Sequence, residues 1–318
     1  MAAEPYLVQL NTRLAEELAN WPDPRKQAHA DFLLARQDPT GGFVGRAGAP
    51  DLYYTAFALR GLAVLERLKP EAAFPAARFL MRQTPAGIVD FLSYLFCWRL
   101  LAGRPPAPDP ATRAVFGELL ESRRCADGGY GKSPNAAAAS TYHTFLAGLC
   151  YDLLGERFPQ PERIAGFVRG RRRADGGFAE LEQMPHGSIN PTAAGAALAL
   201  ATGAADEEMV DGVVRFLLTA QREEGGWPAS ARAPAGDLLS TFTALLTLSD
   251  FGALDQADHA GARRFLAACR GPAPAATQAD SAATPPAGFR ASPIDSQADV
   301  EYTFYGLGCL AVLGAVEL

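Results

Sequence analysis

The sequence of 318 residues lacks several features that mark common functional classes. It has no Cys-x-x-Cys pair, and its five cysteines are an odd number, so neither a redox motif nor a disulfide framework is expected. The thiols are predicted to be free and packed as small apolar groups in a reducing compartment. A net charge of -6 argues against a protein that binds nucleic acid, because neutralising phosphates requires a basic surface.

Long apolar runs are also missing. The most apolar stretch, residues 192–205, consists mostly of alanine and is shorter than the ~20 residues that a membrane-spanning helix needs. Residues 1–18 have neither the basic nor the apolar region of a signal peptide. With 48% hydrophobic and 20% charged residues, the composition is that of a globular protein. We therefore expect a cytoplasmic protein without a transmembrane segment.

What the chain does contain is a repeated phrase with paired glycines. Its clearest copies are QDPTGGFVGR from Gln37, CADGGYGKSP from Cys125, RADGGFAELE from Arg173 and QREEGGWPAS from Gln221. The copies recur at intervals of 42 to 49 residues, with a weaker sixth copy after 62 residues. Their second glycines are Gly42, Gly87, Gly129, Gly177, Gly226 and Gly288. A period of this length indicates a repeat architecture.

Each copy predicts a pair of helices. The stretch before the glycines has apolar residues at helical spacing and one charged face, which predicts an outer helix. The stretch after the glycines is apolar almost all round, which predicts an inner helix enclosed by others. We predict an all-α fold, an α6/α6 toroid in which six helix pairs close into a double ring over residues 1–318. An open solenoid is the alternative.

Two segments fall outside the repeat. Residues 1–24 predict an N-terminal helical extension. Residues 271–298 form a loop rich in proline and alanine that leads into the sixth inner helix. A loop of ~28 residues is unusual in a compact domain and is often functional. It is interpreted as a possible lid, with a surface insertion as the alternative.

The starts of the inner helices align in two columns. The first column holds a residue suited to capping a helix N-terminus: Asp51, Asp90, Ser140, Ser188, Asp237 and Asp299. The second, four residues later, holds Thr55, Tyr94, Thr144, Thr192, Thr241 and Thr303. Capping and packing account for most of these positions.

The repeat resembles that of a known superfamily. The pattern Gln-x-x-x-Gly-x-aromatic is met by Gln221, Gly225 and Trp227, and with Phe in the last place by QDPTGGF. It resembles the repeat of terpenoid cyclases and protein prenyltransferase β subunits, known as prenyltransferase/squalene oxidase repeats. The segments HADFLLARQ, DLYYT and DVEYT most resemble the β chain of geranylgeranyltransferase type II. The resemblance implies an αα-toroid, an isoprenoid ligand such as a prenyl diphosphate, and an α-subunit-like protein partner.

The same resemblance implies a zinc site whose ligands are not all present. The family's Asp-x-Cys falls on Asp237 and Leu239, and its Asp-x-x-His-Thr falls on Asp299 and Tyr302. Leucine cannot ligate zinc and tyrosine is a poor substitute for histidine, so the site is predicted to be lost and no cofactor is expected. Magnesium is an alternative, since Asp237, Asp299 and Glu301 carry the oxygen ligands that it prefers.

Candidate site residues follow from these alignments. Predicted catalytic residues are Asp237, Asp299, Tyr302 and His186, the last lying near the family's His-Gly-Gly-Tyr-Thr segment. Predicted substrate-binding residues are the basic Arg46, Lys132, Arg232 and Arg290, the ring side chains Tyr54, Tyr94, Phe242 and Tyr305, and His143. The basic groups would receive a diphosphate at the mouth of the ring, and the rings would line an isoprenoid cavity.

Three functions are compatible with these features. The first is a prenyltransferase-like enzyme, a transferase, that accepts a prenyl diphosphate without zinc. The second is a non-catalytic toroid that binds a lipid or a protein. The third is a terpene cyclase. It would be an atypical one, because the Asp-x-Asp-Asp acid that the resemblance implies for that reaction occurs nowhere in the chain.

Overall fold

A computed structural model describes residues 4–101, 110–271 and 287–315 of the chain. An N-terminal helix, α1, spans Tyr6–Glu17. The outer helices are α2 (Asp23–Leu34), α4 (Pro70–Leu80), α6 (Pro110–Glu121), α8 (Pro161–Arg171), α10 (Glu207–Ala220) and α12 (His259–Ala268). The inner helices are α3 (Leu52–Val64), α5 (Ile88–Leu101), α7 (Thr141–Leu153), α9 (Ile189–Ala201), α11 (Leu238–Asp250) and α13 (Val300–Val312). Two short strands, β1 (Phe289–Arg290) and β2 (Ala298–Asp299), pair antiparallel before α13.

The inner helices form a closed ring. Each packs against the next in chain order, from α3 through α5, α7, α9 and α11 to α13, and α13 packs against α3. The outer layer also closes, because Gly288 of the sixth repeat lies against the ring of Phe32 on α2. The prediction of an all-α, α6/α6 toroid is therefore confirmed, and the open solenoid is excluded by the contact between α13 and α3.

The repeated phrase builds a tight turn between the two helix layers. At Gly225 the backbone has φ +96°, and a Cβ there would lie 2.0 Å from backbone atoms of Gly261 on the next outer helix. The aromatic residue after the glycines donates its backbone N–H to the Thr hydroxyl of the following inner helix, at 2.9 to 3.1 Å. These pairs are Phe43 with Thr55, Tyr130 with Thr144, Phe178 with Thr192, Trp227 with Thr241 and Phe289 with Thr303. The Thr column therefore satisfies buried backbone donors, which packing alone would leave unpaired.

The second repeat departs from this pattern. Helix α5 begins at Ile88, directly after Gly87, so no glycine turn precedes it. Asp90 is the third residue of α5 rather than the residue before it, and it accepts a hydrogen bond from the backbone N–H of Ala86 at the start of the helix. Tyr94 stands where the other repeats have Thr, and its ring packs against Phe116 on α6.

Helix α1 crosses the ring at the C-terminal ends of the inner helices. It packs against α3, α13 and α7. The backbone N–H of Tyr6 donates to Asp152 at the end of α7, and Arg13 pairs with Asp250 at the end of α11 at 2.7 Å. Helix α1 thereby covers one end of the ring, and the opposite end, where the inner helices begin, is called the mouth.

Most of the predicted lid lies outside the described residues, since residues 272–286 belong to none of the three described ranges. Its described end forms the β1–β2 hairpin, which Arg290 supports through hydrogen bonds to backbone carbonyls.

All five cysteines are buried and free. Among the helices of the described ranges, none combines the length and apolar character needed to cross a membrane.

Candidate functional site

A cavity of about 510 Å³ runs along the axis of the inner ring. Its wall is mostly apolar, and its volume is within the range of small-molecule sites, about 300–1,000 Å³. Because the repeats align, the wall consists of layers to which each inner helix contributes one residue. The middle layer lies two residues after the Thr column and comprises Phe57, Phe96, Leu146, Ala194, Thr243 and Tyr305.

A second layer, the mouth layer, lies two residues before the Thr column. Five of its members line the cavity: Tyr53, Leu92, Tyr142, Asn190 and Leu239. The sixth place is held by Glu301 on α13, whose Oε1 accepts a hydrogen bond from the Tyr53 hydroxyl at 2.6 Å. The alignment of the repeats therefore places one carboxyl group in an otherwise neutral layer, where it is not itself a lining residue but is hydrogen-bonded to the lining residue Tyr53.

Glu301 is an unusual acid. Its side chain is buried, and this burial raises its pKa from the ordinary 4.5 to about 7. The negative charges of Asp299 and Asp237 raise the pKa further, whereas the Tyr53 hydrogen bond and Arg46 lower it. A carboxyl group with this pKa keeps a large protonated fraction at neutral pH, as general acids in enzymes do.

The two predicted catalytic aspartates flank this acid. Asp299 caps α13 and pairs with Arg46, whose Nε lies 2.7 Å from its Oδ2. Asp237 caps α11 by accepting from the backbone N–H of Ser240, and burial raises its pKa. Both carboxylates are therefore held in fixed positions beside Glu301.

The other two predicted catalytic residues lie differently. The Tyr302 ring is half-buried below the Arg46 guanidinium, 5.7 Å from its centroid, and burial raises the pKa of its phenol. His186 is largely exposed, with its Nδ1 3.7 Å from Asp175. Neither belongs to the residues that line the cavity.

Two of the four predicted basic groups are paired within the protein, and the other two are exposed. Arg46 pairs with Asp295 and Asp299, and Arg290 donates to the carbonyls of Ala268, Pro293 and Asp295. The side chains of Lys132 and Arg232 are exposed. Arg46 and Arg290 thus already have partners within the protein.

Of the predicted ring side chains, Phe242 and Tyr305 line the cavity. Tyr54 packs edge-on against Tyr53, and Tyr94 faces the outer layer. His143 is half-buried, its Nδ1 lies 2.7 Å from Ser140 Oγ, and burial lowers its pKa. These three side chains are not part of the cavity wall.

The residues at the family's zinc position do not fit a zinc ion. Leu239 has no donor atom, and the raised pKa of Tyr302 keeps its phenol protonated. Asp237 already accepts hydrogen bonds from Ser240 N and Oγ. Within the described ranges, no group of three or more His, Cys, Asp or Glu side chains is arranged so that it could hold a metal ion. The three carboxylates considered for magnesium therefore do not form such a group.

The floor of the cavity holds the residue that sequence reasoning missed. Arg60, on α3, lines the cavity next to Leu10 of α1, and its Nε donates to Asn11 Oδ1 at 3.4 Å. Its signal in the sequence is a single arginine inside the otherwise apolar stretch LYYTAFALRGLAV. This signal alone does not show that the side chain reaches the cavity. Arg99 holds the matching position on α5 and does not line the cavity.

Comparison with known proteins identifies related sequences and folds. Residues 15–82 and 94–318 match the family model described as the prenyltransferase alpha-alpha toroid domain. A drimenyl diphosphate synthase from Streptomyces showdoensis is 31% identical over 197 residues, which are 60% of this chain and 33% of that protein. The match thus spans about a third of the relative's length.

Two solved structures illustrate the likeness of fold. The protein geranylgeranyltransferase-I of Candida albicans, complexed with GGPP, aligns with a TM-score of 0.64 and 12% identity over 98% of this chain and 92% of that chain. A variant of the type II terpene cyclase MstE from Scytonema, in complex with its product merosterolic acid A, aligns with a TM-score of 0.57 and 15% identity over 98% and 99%. At these identities the likeness concerns the fold alone.

Proposed function

Because the chain belongs to the prenyltransferase alpha-alpha toroid domain family, we propose that its cavity binds an isoprenoid and that Glu301 donates a proton to one of the isoprenoid's double bonds. The protein is then an acid-initiated isomerase or cyclase of the terpene cyclase type. The observation that carries this proposal is a buried carboxyl group that is hydrogen-bonded at 2.6 Å to Tyr53 of the cavity wall, in surroundings that raise its pKa.

The surroundings of Glu301 favour its protonated form. The charges of Asp237 and Asp299 would repel a third carboxylate, so ionisation of Glu301 is costly. Tyr53 bridges Glu301 to the cavity wall, because its hydroxyl donates to the carboxyl group while its ring lines the cavity. Asp237 and Asp299 thus take positioning roles, by keeping the proton on the acid.

The cavity wall suits a carbocation. Rings of Phe57, Phe242 and Tyr305 meet at the level of the middle layer, with centroids 5.2 Å apart for Phe57 and Tyr305 and 5.6 Å apart for Phe242 and Tyr305. Aromatic faces attract cations, and an apolar wall excludes the water that would quench them.

The reaction conserves the atoms of the substrate. The Glu301 proton adds to one alkene carbon, the other becomes a tertiary cation, and a second double bond attacks that cation to close a ring. A neighbouring carbon then gives up a proton to a solvent molecule, and the electrons of that C–H bond form the new alkene. The carboxylate left on Glu301 recovers a proton from solvent, and the product is an isomer of the substrate.

The test is incubation of the purified protein with farnesol, geranylgeraniol and their diphosphates, followed by mass spectrometry of extracted products. We expect products with the formula of the substrate but a different retention time. The Glu301→Gln variant keeps the shape of the side chain without its acidity, and we expect its rate to fall about 10²–10⁴-fold. Equal substrate affinity in both proteins would assign the loss to proton transfer.

The matched control is Glu180→Gln, since Glu180 lines the cavity and accepts a hydrogen bond from the backbone N–H of Tyr142 rather than from the Tyr53 hydroxyl. Its rate should stay within about threefold of the parent. If Glu301→Gln and the parent turn over at the same rate, Glu301 is not the acid.

A second candidate is prenyl transfer with the diphosphate at the mouth and no zinc. It is favoured by the exposed Lys132 and Arg232, in loops that precede α7 and α11. In that case the incubation releases inorganic diphosphate, which isomerisation does not. Under this second candidate the remaining predicted site residues keep their proposed roles: Arg46, Arg290, His143, His186, Tyr54 and Tyr94. An α-subunit-like partner and a cytoplasmic location are part of the same proposal.

A further inference from the structure

We propose that Arg60 binds a carboxylate at the floor of the cavity, so that the ligand lies with its acidic end against α1 and its hydrocarbon end at Glu301. This inference rests on the proposed function, and it adds the orientation of the ligand and the chemical class of its polar end.

Aromatic rings surround the Arg60 guanidinium. Its Cζ lies 3.9 Å from the ring centroid of Phe304, 5.2 Å from that of Phe96 and 5.6 Å from that of Phe57. The rings pack against the planar guanidinium. Its hydrogen-bond donors lie along its edge and are not used by these ring contacts.

That edge lacks an acceptor. Asn11 Oδ1 takes the Nε hydrogen at 3.4 Å, and within the three described ranges no group accepts from the two Nη atoms of Arg60. Asp250, the carboxylate that lines the floor, already pairs with Arg13 at 2.7 Å. A buried guanidinium without a counter-ion is costly, and a ligand carboxylate can supply the bidentate pair that is missing.

Arg60 remains charged under physiological conditions. Burial lowers its pKa to about 10, which still leaves the group protonated at neutral pH. It also lies toward the C-terminal ends of the inner helices, where helix dipoles favour a positive charge. The floor therefore keeps a permanent cation facing an apolar space.

Charge balance favours one carboxylate over a diphosphate at this point. A single guanidinium neutralises one negative charge, so a diphosphate would leave further charges uncompensated in a desolvated pocket. The opposite end of the cavity is acidic, and side chains of Asp51, Ser140, Asp237 and Asp299 already cap four inner helices there. An acidic ligand end is thus favoured at the floor and disfavoured at the mouth.

The test compares three ligands of one chain length: geranylgeranoic acid, geranylgeraniol and geranylgeranyl diphosphate. Binding to the purified protein is measured by calorimetry at neutral pH. We expect the acid to bind at least 10-fold more tightly than the alcohol, as a charge-assisted hydrogen bond provides. In Arg60→Met this preference should disappear, while the affinity for the alcohol stays within about threefold.

The matched control is Arg99→Met, because Arg99 holds the same position on α5 and does not line the cavity. It should keep the preference for the acid. Should Arg60→Met fail to fold, Arg60→Lys retains the charge and is expected to keep part of the preference.

The outcomes separate this inference from the function beneath it. Equal binding of acid and alcohol by the parent protein would make Arg60 a packing residue and overturn the inference, while the isoprenoid cavity would stand. Tighter binding of the diphosphate, lost in Arg60→Met, would overturn the carboxylate. If the protein binds none of the three, the proposed function itself fails.

Discussion

The raised pKa of Glu301 has a measurable effect on stability, independent of any substrate. Glu301 titrates near pH 7 in the folded protein and near its ordinary 4.5 in the unfolded chain. The unfolded chain therefore releases this proton at lower pH, and unfolding is increasingly favoured as pH rises from about 4.5 to about 7. Above that window the full penalty is present.

The size of the penalty follows from the shift. One pKa unit corresponds to about 1.36 kcal/mol, so a rise from 4.5 to about 7 lowers the unfolding free energy by about 3 kcal/mol at alkaline pH. Glu301→Gln does not titrate and escapes this loss. The difference in unfolding free energy, variant minus parent, should grow by about 3 kcal/mol between about pH 4 and about pH 8.

Urea denaturation followed by far-ultraviolet circular dichroism measures this difference at a series of pH values. The control is Glu223→Gln, because Glu223 is exposed and distant in sequence from the mouth layer. It reports the effect of removing an exposed negative charge. A profile for Glu301→Gln that matches this control would mean that Glu301 ionises as an ordinary surface acid, and the proposed proton donor would lose its premise.

Three further changes test the turn network and the floor. Gly225→Ala places a Cβ 2.0 Å from the backbone of Gly261 and should lower the unfolding free energy by at least ~2 kcal/mol more than Gly252→Ala, whose Cβ meets no atom within 4 Å. Thr241→Val leaves the backbone N–H of Trp227 unpaired and should cost about 1–3 kcal/mol in urea denaturation, whereas Thr241→Ser should keep the hydrogen bond. Leu10→Phe fills part of the floor and should weaken the binding of geranylgeraniol, measured by calorimetry, more than the binding of geraniol. Equal weakening of both would mean that α1 does not select the chain length of the ligand.

The fold was predictable because most repeats carry the same local sequence features. Paired glycines, a following aromatic residue and a Thr column recur together, and each feature has a local physical role in the structure. The exception is instructive. In the second repeat α5 begins at Ile88, so Asp90 lies inside the helix and accepts a hydrogen bond from the backbone N–H of Ala86 from there.

The site was less predictable because its members depend on the direction in which each side chain points. Phe242 and Tyr305 line the cavity and Tyr94 does not, although all three are aromatic residues on inner helices. The contact of Arg46 with Asp295 and Asp299 joins the loop before α3 to the segment before α13, 249 and 253 residues away in the chain. No local pattern reports such a pairing.

The repeat register nevertheless supplies a rule for finding the chemistry of this ring. Stability of the turns depends on the Thr column and the residues that contact it. The positions two residues before and after that column line the cavity, except for Glu301, which is hydrogen-bonded to the lining residue Tyr53. These positions are therefore free to differ between repeats without loss of the fold. Polar residues placed there face a largely apolar space and are costly unless they serve a ligand or a partner. Glu301 occupies such a position at the mouth, and Arg60 lies one turn below the middle layer at the floor. Membership of the toroid family describes the scaffold, and the ionisable groups at these inward positions decide what the cavity does.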